Sequence, residues 1–415
     1  MIKFTGILFF VFIGITVSQD TVKITTWNIL EYTGSDTTVR NPYFRTALNG
    51  MDPDILVIQE VYTQQVVNNF LTGVLNSSGI GIFAAGTFIS GPGSDNAIYF
   101  RSDRFTFIAN NPIATSQRDI NEFIVRHIPT GDTLRIFTVH LASGTGSSIE
   151  QVRASEIDSL RKRTNLLPSG SNFLVLGDFN LTGANEQAYI KLVQPGGIDG
   201  RFYDVLNMPG VWNNPAYAPF HTQSSRTRSF GSGATGGLDD RFDIILFSNS
   251  VYNFGDLRYV PGSLTAYGND GNHYDDSISR PPNNAVGQSI ANALHYSSDH
   301  LPVFALFKFG NIVNVTGNQN SSYDFKLSQN HPNPFNPSTK IQFSVFKSTN
   351  VKFTIYDVTG RVMVILVNEE LKPGTYVVQW NARQDNSSSE LSSGVYYYTL
   401  MAGDFVETRK MILIK

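Results

Sequence analysis

The sequence predicts an α+β layered sandwich followed by a small all-β sandwich. Through residues 20–309, short runs rich in Val, Ile, Phe and Tyr alternate with a few helical segments, and many strands with few covering helices indicate stacked sheets. A segment rich in Asn, Gly and Ser (310–324) then precedes a tail of alternating and aromatic runs. We therefore expect two domains, 19–309 and 325–415, joined by a linker at 310–324.

The individual elements follow from hydrophobic periodicity. The expected strands of the first domain are 22–29, 54–61, 96–102, 121–128, 133–142, 173–179, 241–248 and 301–309. Several are apolar almost throughout, as in strands that are covered on both faces. The expected helices are 148–167, which has one apolar stripe, and 64–75. In the tail we expect strands at 351–357, 374–380 and 394–400.

Composition limits the chemistry. The chain has 415 residues, 41% hydrophobic and 16% charged, which excludes a disordered chain. It has no cysteine, so disulfides, thiol catalysis and cysteine-bound metals are excluded. Residues 20–309 carry 20 basic and 26 acidic side chains without a polybasic run, which argues against stable binding of nucleic acid by charge neutralisation.

The first residues predict export. Lys3 is followed by an apolar run as far as Val17 and by the small Ser18, a pattern typical of a signal peptide (1–18) cleaved before Gln19. The alternative is a membrane anchor, but the run is shorter than the roughly 20 residues that a bilayer requires. We expect a secreted protein without stable membrane insertion.

Polar residues recur where the apolar strands end, and this is the main functional signal. They are Asn28, Glu60, His140, Asp178, Asn180, Asp243, Asp299 and His300. Each one alone has a structural explanation, such as an Asx turn or a helix cap. Because loops at sheet ends commonly carry functional groups, their joint occurrence predicts one cleft. The remaining histidines, which do not combine a strand end with a carboxylate, are expected to be structural: His127, His221, His273, His295 and His331.

The residue types in this set indicate which metal ions and which proton transfers the cleft could support. Glu60, Asp299 and Asn28 offer hard oxygen donors, which suit Mg²⁺, Mn²⁺ or Ca²⁺ rather than zinc. His140 and His300 titrate near neutral pH and can donate, accept or stabilise charge. A metal with positioned donors is what in-line attack of water on a phosphodiester requires.

Six ordered motifs resemble the endonuclease/exonuclease/phosphatase superfamily, in particular its deoxyribonuclease-like branch. They are TTWNI (25–29), DILVIQE (54–60), TVHLAS (138–143), LGDFN (176–180), DDRFDIIL (239–246) and SSDHLPV (297–303). The resemblance implies a four-layer αββα sandwich. It also implies Glu60 as the principal metal ligand, with Asn28 and Asp299 completing the metal and phosphate shell.

The same resemblance implies the catalytic roles. Asp178 would align or activate the attacking water, and Asn180 would bind the phosphoryl oxygens. His300, oriented by Asp243, would contact the scissile phosphate or act as general base. His140 lies where this branch has a second histidine and would be the general acid for the leaving oxygen.

Two features depart from the family pattern or extend it. Related pancreatic-type enzymes have a Glu that orients the histidine matching His140, whereas this chain has Ser94, Asp95 and Asn96 there; we expect Asp95 to substitute. A loop rich in Gly and Ser carries Arg226 and Arg228, which we expect to contact substrate phosphate through bidentate hydrogen bonds. The alternative is a solvated loop.

The tail is similar to the C-terminal sorting domain of type IX secretion. The resemblance rests on LSQNHPNPFNPSTKIQFSV (327–345), YDVTGRV (356–362), LKPGTYVVQW (371–380), SSGVYYYTL (392–400) and FVETRKMILIK (405–415). It implies handling by the type IX secretion machinery, passage across the outer membrane and removal of the tail. A fibronectin-like spacer or a carbohydrate-binding module is the alternative.

Together these observations predict a secreted, divalent-metal-dependent phosphodiesterase, a monomer that cleaves DNA or RNA as a transient substrate. A phosphatase or a sphingomyelinase-type lipid phosphodiesterase is the second hypothesis, for which the aromatic residues of 251–295 could form a membrane-acting hairpin. A non-catalytic surface binding protein is the third. The residues at the strand ends argue against it, because binding alone requires neither Asp178 nor two histidines.

Overall fold

The structure is a computed structural model that describes residues 20–34, 38–168, 170–194, 200–206, 208–254, 257–310, 325–345, 348–372, 374–382, 391–403 and 405–414. The predicted signal peptide, and the predicted linker apart from Gly310, lie outside these residues. The chain divides into two compact units, Met1–Asn314 and Val315–Lys415. The exact bounds of signal, domains and linker stay predictions.

The first unit contains twelve strands and five α-helices in the residues described. The strands are β1 (Asp20–Asn28), β2 (Ile55–Val61), β3 (Phe83–Ala85), β4 (Asp95–Arg101), β5 (Phe105–Ile113), β6 (Ile120–His127), β7 (Thr133–His140), β8 (Phe173–Asp178), β9 (Asp243–Phe247), β10 (Arg258–Tyr259), β11 (Thr265–Ala266) and β12 (Val303–Phe309). The helices are α1 (Asn41–Met51), α2 (Gln64–Gly73), α3 (Ser147–Thr164), α4 (Gln187–Val193) and α5 (Gln288–Ser297).

Two sheets stack face to face and are covered by helices, which confirms the four-layer αββα sandwich. The first sheet has the order β10-β12-β1-β2-β4-β3, with β11 also paired to β12, and the second has the order β5-β6-β7-β8-β9. Ile24 and Val57 of the first sheet share one core with Ile136 and Leu174 of the second. The outer face of the first sheet packs against α1, α2 and α5, and that of the second against α3 and α4.

Strand directions bring the predicted site residues to one edge. β1 and β2 are parallel, as are β7 and β8, so their carboxyl ends, which carry the site residues, meet at the same side of each sheet. The antiparallel neighbours begin where these strands end, since Thr26 pairs with Val303 and Asp178 with Asp243. The residues before β12 therefore lie beside the end of β1.

The two predicted helices are present, with ends that differ by a few residues, but α1, α5 and the short α4 were not predicted. Pro42 and Gly50 interrupt the apolar pattern of α1, and α5 buries the small Ala291 and Ala293 together with Leu294. Small residues give a weak periodic signal, so tertiary packing rather than the sequence pattern identifies these helices.

The second unit is all β. Its strands are β13 (Phe325–Leu327), β14 (Ser338–Val345), β15 (Thr349–Tyr356), β16 (Val362–Leu371), β17 (Gly374–Asn381), β18 (Gly394–Ala402) and β19 (Phe405–Leu413). They form sheets of order β13-β14-β17 and β16-β15-β18-β19 around one apolar core. Within the described part of the whole chain, no helix combines the length and the apolar character that crossing a bilayer requires.

Candidate active site

Asp178, the last residue of β8, lies at the centre of the predicted cluster. Its Oδ2 atom is 3.6 Å from Nε2 of His140 and 3.7 Å from Nε2 of His300, and it accepts a hydrogen bond from Nδ2 of Asn28 at 3.0 Å. All four side chains are buried. The two sheets thus bring together residues from β1, β7, β8 and the segment before β12.

Glu60 joins the cluster through a β-bulge. The pairing of β2 with β4 shifts between Gln59 and Val61, which leaves Glu60 outside the regular ladder in the left-handed region (φ 67°) and re-aims its side chain. Its Oε1 accepts from Nδ2 of Asn28 at 2.9 Å and its Oε2 from the amide of Glu31 at 2.7 Å. Strained backbone of this kind is typical of functional sites.

Asn28 acts as a hydrogen-bond donor in this arrangement. Its amide nitrogen serves both Glu60 and Asp178, while its amide oxygen accepts from the Leu30 backbone at 3.0 Å. The predicted role as metal ligand would use the second lone pair of that oxygen and stays a prediction. The observed contacts make Asn28 a residue that holds the two carboxylates together.

His300 is paired with a buried carboxylate. Its Nδ1 lies 2.7 Å from Oδ2 of Asp243, and both residues are buried. Burial alone would lower the pKa of His300, but the carboxylates of Asp243, Asp178 and Asp299 outweigh it and raise the pKa well above its usual value. The amide nitrogen of Gln223 lies 2.6 Å from Nε2 of His300. When this ring nitrogen carries a proton, the Gln223 amide is flipped so that its oxygen accepts that proton. His300 is therefore a cation at neutral pH.

His140 differs from His300 in charge. Burial, together with the positive charges of Arg118 and His300, lowers its pKa well below the usual value, so the imidazole is neutral. Its Nδ1 lies 3.4 Å from the Ser94 hydroxyl. When that hydroxyl donates, the ring proton is on Nε2 and faces Asp178.

The expectation that Asp95 would orient His140 is wrong. Asp95 accepts hydrogen bonds from the amide of Gly91 at 2.7 Å and from Ser90 at 3.2 Å. Ser94, directly before β4, faces the imidazole, whereas the Asp95 side chain accepts from the segment before it. His140 is held by a long hydroxyl contact where related enzymes use a carboxylate.

The pKa of Asp178 is raised to about 7. Burial is the largest cause, the cationic His300 opposes it, and the carboxylates of Asp243 and Glu60 add to it. A carboxyl group with this pKa exchanges protons near neutral pH. The backbone amide of Asn180 donates to Oδ1 of Asp178 at 3.0 Å and fixes the orientation of the carboxyl group.

Several carboxylates line the cleft in a way that fits a hard divalent cation. Glu31, Glu60, Asp178 and Asp299 all contribute to its wall. Asp299 accepts from the Ala234 amide at 2.6 Å through Oδ2, while its Oδ1 is buried without a partner among the described residues. In that part of the chain, no group of three or more His, Cys, Asp or Glu side chains is placed to hold a metal ion by itself. An ion held here would keep most of its ligands as water, as Mg²⁺ does.

The cleft has a volume of about 520 Å³ and contains one arginine that the sequence analysis missed. Arg118 precedes β6, lines the cleft and donates to the carbonyl of Leu141 at 3.3 Å. It is the single cationic Lys or Arg in the lining formed by the described residues. A single arginine in a loop gives no periodic signal. Its position just before β6 is the one feature of the sequence that could have suggested a place at the edge of the sheet.

The two predicted substrate arginines lie elsewhere. Arg226 is fully buried and donates to main-chain carbonyls, so it is not exposed to substrate. Arg228 is exposed but does not line the cleft, and its substrate contact stays a prediction. Four of the remaining histidines make structural hydrogen bonds outside the cleft: His127 to Asp20, His221 to Trp212, His273 to Asp270 and His295 to Ser277.

The chain resembles several solved structures. The structure of D. rerio TDP2 complexed with single strand DNA product is 17% identical, with 69% of this chain and 98% of that chain covered and a TM-score of 0.46. The human Nocturnin catalytic domain with bound sulfate anion is 17% identical (70% and 97% covered, TM-score 0.45). An endonuclease/exonuclease/phosphatase family protein from Bacteroides thetaiotaomicron is 15% identical (73% and 99% covered, TM-score 0.45).

Family models match both units. Residues 329–415 match the secretion system C-terminal sorting domain, so the tail is a type IX sorting domain, which directs export to the cell surface or the extracellular space. No curated protein matches the chain. Residues 25–300 match the endonuclease/exonuclease/phosphatase family model, and the chain therefore belongs to this family of phosphoric-ester hydrolases.

Proposed function

We propose that this protein is an extracellular, divalent-metal-dependent phosphodiesterase that cleaves DNA or RNA by in-line attack of water. The observation that carries the proposal is the position of Asp178 between a neutral His140 and a cationic His300, with Glu60 beside it. A proton acceptor, a cation and a neutral donor around one cleft are what hydrolysis of an anionic ester requires.

Glu60 and Asp299 would hold the metal, Mg²⁺ first, with Mn²⁺ or Ca²⁺ as alternatives. Both line the cleft with hard oxygen donors, and Asn28 and the Glu31 amide fix the Glu60 carboxylate. When bound, such an ion neutralises phosphate charge and polarises the phosphoryl oxygens.

Asp178 would accept the proton of the attacking water, because a pKa of about 7 keeps a large fraction of the carboxyl group ionised at neutral pH. His300 would stabilise the negative charge of the phosphoryl oxygens. Its raised pKa makes it a poor base, so of its two predicted roles the phosphate contact is the one we propose. Asp243 keeps the ring oriented.

His140 and Arg118 would act on either side of the phosphate. Neutral His140 would offer its Nε2 proton as a hydrogen bond to the leaving oxygen, which modifies the predicted role of general acid. Arg118 lines the same cleft and would bind a phosphate oxygen by a charge-assisted hydrogen bond. Asn180, which also lines the cleft, would direct its side chain to the phosphoryl group.

The aromatic residues of 251–295 give little support to a membrane-acting hairpin, since none of those that the structure describes lines the cleft. Of the aromatic residues in 251–295, Tyr259 is buried and Tyr274 bonds to Asn213. Tyr252 is exposed but stacks on Tyr203, and the side chain of Phe254 lies outside the described residues. We therefore propose a polymeric phosphodiester as substrate, bound transiently by a monomer, with the lipid phosphodiesterase as the alternative.

One assay distinguishes the alternatives. The full-length chain is incubated with plasmid DNA, RNA, sphingomyelin and a simple aryl phosphodiester, each with Mg²⁺ or with chelator. We expect Mg²⁺-dependent cleavage of at least one nucleic acid, faster than of sphingomyelin. Cleavage of sphingomyelin alone would favour the lipid enzyme, and no cleavage of any ester would favour a binding protein.

A further inference from the structure

Arg226 is a fully buried arginine whose guanidinium binds two segments of main chain. Its Nε donates to the carbonyl of His295 in α5 at 2.9 Å. Its Nη1 donates to the carbonyls of Phe230 at 3.1 Å and Ser232 at 3.2 Å. Nη2 is buried and has no partner among the described residues. The chain that follows Arg226 is therefore folded back over its guanidinium.

The base of this loop is closed by further hydrogen bonds. The Ser224 hydroxyl donates to the carbonyl of Ala234 at 2.9 Å and accepts from the Arg226 amide at 3.2 Å. The amide of Gly237 donates to the carbonyl of Arg226 at 3.0 Å. Residues 227–233 thus form a closed loop with the Arg226 side chain at its centre.

The far side of the same loop forms part of the cleft wall. Gly233 and Ala234 line the cleft, and the amide of Ala234 donates to Oδ2 of Asp299 at 2.6 Å. Gly233 has a φ of +95°, and a methyl group there would lie 2.8 Å from both Asp299 Oδ2 and Leu30 Cδ2. The loop backbone is therefore packed directly against the carboxylate of Asp299.

An apolar side chain could fill the centre of the loop at a lower desolvation cost than a cation. Burial lowers the pKa of Arg226 to about 10, against the attraction of Asp299, so the group is still charged at neutral pH. What arginine adds is a fixed set of donors that holds the carbonyls of His295, Phe230 and Ser232 around one group. Its contribution is thus the geometry of the loop.

We propose that Arg226 is a positioning residue, which holds loop 227–233 so that the Ala234 amide fixes the Asp299 carboxylate in the cleft. It does not touch substrate, in contrast to the phosphate contact expected from the sequence. The inference rests on the proposed hydrolytic function for its kinetic consequence. Its structural consequence, the order of the loop, is independent of that function.

The test compares four full-length proteins: wild type, Arg226→Gln, Arg226→Lys and the control Arg126→Gln. Arg126 is an exposed arginine that donates to the Gly131 carbonyl at the far end of β6. Hydrogen exchange of residues 229–238 is measured without metal or substrate, and kcat and KM are measured with a nucleic acid and Mg²⁺. Exchange in β8 reports whether each variant is folded.

We expect the Gln variant to exchange at least about 10-fold faster across 229–238 and to lose about 10- to 100-fold in kcat, with a smaller change in KM. The Lys variant should lie between, because an ammonium group reaches fewer of the three carbonyls; it also serves if the Gln variant does not fold. Unchanged exchange in both variants, or a kcat loss no larger than in Arg126→Gln, would overturn the proposal. An inactive wild type would refute the proposed function instead, and exchange would still decide the role of Arg226.

Discussion

Oδ2 of Asp243 lies 2.7 Å from Nδ1 of His300, and both side chains are buried. For the second imidazole, His140, the Ser94 hydroxyl at 3.4 Å is the one hydrogen-bond partner of Nδ1 among the described residues. The two histidines therefore differ in charge, since the pKa is raised for His300 and lowered for His140. This difference in charge predicts that replacing the partner of His300 lowers activity more than replacing the partner of His140.

Replacing the partner of His300 should be costly. Asp243→Asn removes the negative charge that keeps His300 protonated, so we expect kcat/KM to fall by roughly 100-fold or more. The histidine pKa, followed by NMR, should fall in the same variant. Asp158→Asn, on the exposed face of α3, is the control and should behave as wild type. A Asp243→Asn enzyme with wild-type kcat/KM would show that the charge of His300 is not used.

Replacing the partner of His140 should be nearly neutral. A hydroxyl contact of 3.4 Å is a weak hydrogen bond, so Ser94→Ala should lower kcat by less than about 3-fold. Steady-state kinetics on the same substrate measure this. A loss as large as that of Asp243→Asn would mean that Ser94 orients His140 as firmly as a carboxylate does.

Arg118 should contribute to substrate binding more than to turnover. Arg118→Gln removes a charge-assisted hydrogen bond to phosphate, and we expect KM to rise about 10-fold with little change in kcat. Arg118→Lys keeps the charge and should recover part of this loss. If Arg118→Gln lowered kcat and left KM unchanged, the arginine would act on the transition state instead.

Asp270 should stabilise the fold in a pH-dependent manner. Burial alone would raise its pKa, but hydrogen bonds from Asn284, Asn272 and His273 lower it to about 2. A lowered folded-state pKa gives stability that is present above about pH 4 and is lost as the pH falls toward 2. Asp270→Asn should cost about 1 kcal/mol at pH 7 after allowance for solvent screening. The difference in unfolding free energy from wild type should shrink by pH 3, and a constant difference would refute this.

The position of the site could be predicted from the sequence, because the ends of apolar strands can be recognised where polar residues follow an apolar run. Asn28, Glu60, His140 and Asp178 each follow an apolar run, and the carboxyl ends of parallel strands meet at one side of a sheet. The orientation of each group could not be predicted in this way. The bulge that turns Glu60 and the amide orientation of Asn28 depend on strand register and on partners distant in sequence.

The burial of the arginines could not be predicted from the sequence pattern. A loop rich in Gly and Ser suggests solvent exposure, yet this loop folds around Arg226 and buries it. Arg118, in a loop without any motif, is the arginine that lines the cleft. Side-chain burial in irregular segments is determined by tertiary contacts, which leave no periodic signal in the sequence.

The turnover of Asp178→Asn with nucleic acid and Mg²⁺ tests the proposed catalytic centre most directly. The substitution keeps the shape of the side chain and removes the proton acceptor between His140 and His300, so kcat should fall by about 10²- to 10⁴-fold while the protein remains folded. A Asp178→Asn protein that cleaves nucleic acid at the wild-type rate would contradict the proposed catalytic centre.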